Sequence, residues 1–153
     1  MIDELQPQAV IFSDGGPGCR WVGNEKGFAG ATNWSFLRAG EVYPGYPNYR
    51  ELQYGHADGN QWVAAECDVS IRPGWFYHPE EDGRVKTVDE LTDLYYRSVG
   101  HNATLLLNFP VDRDGLIHPT DSANAVNFHK NIQKQLELSL IHISEPTRPI
   151  SIS

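Results

Sequence analysis

WVAAECDVSI, residues 62–71, is the stretch on which the reading of this chain turns. Val63, Ala65, Cys67, Val69 and Ile71 alternate there with Glu66, Asp68 and Ser70. Side chains of a strand point to opposite faces with a period of two, so the run predicts a strand with one apolar face and one polar face. Two carboxyls and a hydroxyl on one face need a reason, either a site or a polar layer satisfied by neighbouring strands.

Working outward, ATLLLNFP (103–110) predicts a further strand, apolar on both faces until Asn108 and ended by Pro110. AVIFSD (9–14), bounded by a Gly-Gly-Pro-Gly turn, predicts a buried parallel strand, preceded by the end of a helix in MIDELQ that Pro7 closes. Between the last two strands, TVDE (87–90) has the pattern of a capping box, with Val88, Leu91, Leu94, Tyr95 and Val99 at helical spacing and Gly100 as the stop. PTDSANAVNFHKNIQKQLE predicts a second helix, capped by Thr120 or Asp121 and burying Ala125, Phe128, Ile132 and Leu136. No period is sustained from Gly15 to about Gln61. Apolar strands separated by long connections imply a parallel α/β sheet, whose sites lie in the loops after the strand ends.

A chain of 153 residues suits one domain, and a formal charge of −8 argues against nucleic acid or an anionic membrane as partner. Its 4 Trp and 7 Tyr suit sugar recognition, because aromatic faces cover the C–H side of a pyranose, and suit an ordinary core equally well. Cys19 and Cys67 have neither metal-ligand spacing nor a disulfide framework. In GGPGCRWVG, Trp21 stands where a dinucleotide fingerprint needs its third glycine, and no P-loop occurs. The histidines form no ligand pattern, and Ser13 and Ser70 lack a nucleophile elbow. The start MIDELQPQAV has neither the basic nor the apolar region of a signal peptide.

Carboxylates remain. Glu25 follows a strand end in a glycine-rich loop, four residues after Trp21, and an indole beside a carboxyl would desolvate it as a general acid requires. Spacing alone describes a solvated loop glutamate beside Lys26 at least as well. Glu66 and Asp68, alternate on a strand, stand about 6.5–7 Å apart, a separation compatible with inverting glycosidases or with a polar barrel layer. Trp75, Tyr77 and His78 in PGWFYHPEED could form a stacking platform or pack at a strand exit. Asn108, at the end of LLLN, could hydrogen-bond a ligand, but reads rather as a loop cap.

Taken together, IFSDGGPGCRWVGNEKG, WVAAECDVSIRPGWFYH and SVGHNATLLLNFPVDRDGLIHPTD resemble the α-L-fucosidases of glycoside hydrolase family 29 over residues 1–137. The likeness is to the branch associated with α-1,3/1,4-linked fucose. The resemblance implies a (β/α) barrel of the triosephosphate isomerase type, of which this chain holds roughly the second half with long βα loops. It implies retaining chemistry without metal or cofactor, a fucosylated glycan as substrate, and a periplasmic or extracellular setting. In this branch the acid/base falls on Glu25; in the other it falls on the position of Glu66. Trp21, Asn24, Glu66, Asp68, Trp75, Tyr77 and His78 become the expected sugar contacts. The family's nucleophile lies in a Trp-x-Asp-Gly motif, which this sequence lacks. A free-standing carbohydrate-binding module without catalysis is the alternative. The tail 138–153, LSLIHISEPTRPISIS, looks like a translated sequencing adapter and is set aside as non-native.

Overall fold

The computed structural model describes residues 2–144. A short α1 (Ile2–Leu5) leads into β1 (Phe12–Ser13) and β2 (Cys19–Trp21), then β3 (Phe36–Leu37), α2 (Tyr49–Leu52), β4 (Gln61–Trp62) and β5 (Ala64–Ser70). A 3-10 turn (Pro79–Arg84) precedes α3 (Val88–Ser98), a second one (Val99–His101) precedes β6 (Ala103–Asn108), and α4 (Pro119–Ser144) follows. The strands β1-β2-β5-β6 form one all-parallel sheet, while β3 and β4 make a separate antiparallel pair.

The alternation predicted for 62–71 is what builds the core. Val63, Ala65, Cys67, Val69 and Ile71 are all buried, and Val69 and Ile71 pack with Leu91 and Leu94 of α3. Leu105 and Leu107 of β6 and Phe128 of α4 close the same cluster. The capping box forms as read: the Glu90 amide donates to the Thr87 hydroxyl while the Thr87 amide donates to the Glu90 carboxylate.

Several expectations are corrected. The 9–14 run is not a buried strand, since β1 is two residues long at the sheet edge and Val10 and Phe12 are exposed. Strand β6 carries leucines on both faces, as read, but only one face is covered: Leu106 is 57% exposed on the face it shares with Asp68. Gly100 does not stop α3; the chain turns at Asn102, which takes the left-handed conformation that asparagine tolerates better than most residues. Asp121 is not a cap residue, because α4 begins at Pro119 and Asp121 is fully buried. Leu136 is exposed rather than part of a buried stripe. Helix α4 also runs through Ser144, into the stretch set aside as a tail, and residues 145–153 lie outside the described residues.

The aperiodic 15–61 region is organised by side chains bonded to backbone. Arg20, wholly buried, donates from Nε to the Leu52 carbonyl, from Nη1 to Val63, and from Nη2 to Asn33 Oδ1 and the Trp34 carbonyl. Asn33 Nδ2 donates to the carbonyls of His101 and Asn102, and Asn102 Nδ2 donates back to the Asn33 carbonyl and Ser35 Oγ. His56 accepts the Arg38 amide at Nδ1, which leaves Nε2 to donate to Glu51 at 2.5 Å. These bonds replace periodicity as the source of order. No helix among the described residues is long and apolar enough to cross a membrane.

Candidate active site

The polar face of β5 and the loops leaving the carboxyl ends of β2, β5 and β6 converge on one side of the sheet. Register pairs Trp21 with Glu66, Glu66 with Thr104, Asp68 with Leu106 and Ser70 with Asn108. In a parallel sheet registered residues share a face, so Trp21, Glu66, Asp68, Ser70 and Asn108 lie on one surface.

Glu25 sits in the loop after β2. Two glycines shape that loop: Gly23 has φ +79° and a Cβ there would collide with the Tyr49 carbonyl, and Gly27 has φ +76° with Val69 Cγ1 2.7 Å from where its Cβ would be. Asn24 braces the loop: its Nδ2 donates to the Phe28 carbonyl at 3.0 Å and its Oδ1 accepts the Lys26 amide at 3.0 Å. Glu25 itself is exposed and accepts the indole N–H of Trp75 at 2.9 Å. The indole expected beside it, Trp21, donates to Asp68 Oδ1 at 2.8 Å instead. Strand pairing explains the exchange, because it sets Trp21 beside the Glu66–Asp68 face, whereas Trp75 reaches Glu25 from fifty residues away.

Three carboxyls therefore have three environments. Glu66 is 6% exposed with neither oxygen bonded among the described residues, and burial, with a smaller contribution from the Asp68 charge, pushes it up to about 7. Asp68 is also raised, by burial first and then by the Glu25 charge, against the stabilising Trp21 bond. Glu25 is open to a ligand and holds one bond to an indole. Beneath them, burial pushes the Cys67 thiol up to about 12, which leaves it a protonated, inert core group.

The expected Trp75–Tyr77–His78 platform is not one surface. Trp75 turns toward Glu25, Tyr77 lies under the Arg72 guanidinium at 4.6 Å, and the His78 ring is exposed. Arg72 is the centre of a cluster that motif reading missed: its Nε and Nη2 bond both oxygens of buried Asp121 at 2.7 and 2.9 Å, and Nη1 meets Asp82 at 2.9 Å. Nothing in the local sequence marks a pair 49 residues apart. On the outer side, Phe76, Tyr77, His78, Glu80, Asp112 and Arg113 border a groove of about 700 Å³, with Phe76 76% exposed in it.

A parallel sheet with helices on one face and the β5 carboxyls on the other defines a part of a TIM-type α/β catalytic fold, and the solved structures it matches agree. No family model matches the chain. It is 48% identical over 126 residues to α-L-fucosidase 1 of Arabidopsis thaliana, covering 79% of this chain and 24% of that protein. A glycoside hydrolase 29 family member from an unknown rumen bacterium matches at 49% identity and TM-score 0.77, covering 86% of this chain and 23% of that one. A Ruminococcus gnavus glycoside hydrolase 29 fucosidase in complex with fucose matches at 36% identity and TM-score 0.67, covering 76% and 23%. The chain's homologues are thus α-L-fucosidases, and it spans about a quarter of the length of those relatives.

Proposed function

We propose that this chain is the C-terminal part of the catalytic barrel of a retaining α-L-fucosidase that removes terminal α-1,3/1,4-linked L-fucose from glycans, with Glu25 as acid/base. The observation that carries this is the contrast between Glu25, exposed at the carboxyl end of the sheet and oriented by Trp75, and Glu66, sealed from solvent. The relatives' names support the reaction.

In the first step a carboxylate attacks the anomeric carbon, the glycosidic C–O bond breaks, and Glu25 gives its proton to the departing oxygen. In the second, Glu25 takes a proton from water as that water attacks the fucosyl-enzyme bond, releasing fucose and the nucleophile carboxylate. No Trp-x-Asp-Gly occurs here, so on this reading the nucleophile is supplied from outside these residues. Asp68, beside the buried Glu66, contacts the sugar from the sheet, and the site works in a periplasm or outside the cell. Residues 138–153 take no part and are read as non-native.

The test is hydrolysis of a nitrophenyl fucoside. The chain alone is expected to give no turnover. In the full-length enzyme that carries it, Glu25→Gln is expected to lose most activity and regain it with azide, while Glu66→Gln is not rescued. Rescue confined to Glu66→Gln would move the acid/base role to Glu66. Reproducible turnover by the chain alone would refute the absent nucleophile.

A further inference from the structure

We infer that Asn108 is a positioning residue for the acid/base, acting through Trp75. Asn108 ends β6, and its Nδ2 donates to Ser70 Oγ and to the Trp75 carbonyl, both at 3.1 Å. A backbone carbonyl can only accept, so the amide nitrogen must be the atom facing it. Ser70 ends β5 as the register partner of Asn108, and its Oγ also accepts the Arg72 amide at 3.3 Å. The ends of two strands thereby clamp the backbone of Trp75. Its indole then reaches across to Glu25 Oε2 at 2.9 Å.

The clamp has a chemical consequence, which rests on the acid/base reading of Glu25. An indole N–H is only a donor. It occupies Oε2 and reserves Oε1 as the oxygen that carries the transferable proton. The same bond becomes charge-assisted once Glu25 has given that proton up, so it strengthens as the reaction proceeds. Asn108 touches neither sugar nor Glu25; it fixes where the indole stands.

The experiment is hydrogen exchange of the tryptophan indole N–H groups, read by nitrogen-15 NMR on the full chain. Trp21, whose indole is bonded to Asp68, is the internal control. Asn108→Ala is expected to speed exchange at Trp75 about fivefold, the factor for one hydrogen bond of ordinary net strength, and to leave Trp21 unchanged. Asn108→Asp keeps the side-chain size but cannot donate as a carboxylate, so it should act like Asn108→Ala. Glu25→Gln, which weakens the acceptor, should no longer respond to Asn108→Ala to the same extent in the double variant. Unchanged Trp75 exchange in both Asn108 variants would overturn the inference, as would equal acceleration at Trp21, which marks general loosening. The readout needs no turnover, so its failure is separate from a failed azide rescue at Glu25.

Discussion

Two arginines with almost no exposed surface stand at opposite ends of the same sheet, and they are satisfied in opposite ways. Arg20, near the amino ends of β5 and β6, meets three backbone carbonyls and the Asn33 amide oxygen, all neutral. Arg72, past the carboxyl end of β5, meets the carboxylates of Asp121 and Asp82. Burial accordingly pulls Arg20 down to about 10, while the Asp121 bonds raise Arg72 despite burial. At one end a cation gathers irregular backbone that has no ladder of its own. At the other, paired charges lock a site loop to α4. The first device organises chain, and the second fixes the loop from which Trp75 reaches Glu25.

Substitutions can break this contrast. The largest expected effect is Arg72→Met, which strands the buried Asp121 carboxylate and should cost roughly 3–5 kcal/mol in urea unfolding. Next comes Glu66, whose carboxyl has no hydrogen-bond partner among the described residues. The folded-state value of Glu66 lies above its ordinary 4.5, at about 7, so its contribution is fully present below 4.5 and lost as pH rises through 7. The chain should therefore lose roughly 3 kcal/mol between pH 4 and 8, a slope that Glu66→Gln flattens. Arg20→Met should cost only about 2 kcal/mol, because it removes a desolvated cation along with the bonds and leaves only neutral acceptors behind. A loss equal to that of Arg72→Met would erase the distinction between the two ends. Thr87→Ala, whose side chain bonds neither arginine, sets the floor: removing the exposed capping box should cost about 1 kcal/mol.

What the sequence made legible was local or periodic. The buried face of residues 63–71 and the Thr87–Glu90 box could be read because strand alternation and a three-residue spacing are both contained in short windows. The two arginine clusters could not be read, since their partners lie tens of residues away and arginine carries no positional signature. Asp121 shows the cost of local reading: at a helix start it looks like a cap, and only the return of α4 across the sheet brings Arg72 to it. Trp21 and Glu25 look paired at four residues' separation, yet a strand runs between its neighbours, and its register sent the indole to Asp68. The carboxylates themselves were visible as candidates; their separate environments depend on packing.

The bonds joining Asn33 and Asn102 carry one more implication. Asn33-Trp34-Ser35 and Asn102-Ala103-Thr104 are both acceptor tripeptides for N-linked oligosaccharide. Transfer would use the two side-chain nitrogens that here donate to the His101, Asn102 and Asn33 carbonyls and to Ser35 Oγ, the hydroxyl of the first tripeptide. In a cell that performs this modification, folding and glycosylation compete for the same atoms: a chain that folds first hides its Asn33 acceptor, and a chain modified first at Asn33 has given up one of the two N–H donors by which Asn33 ties its segment to the start of β6.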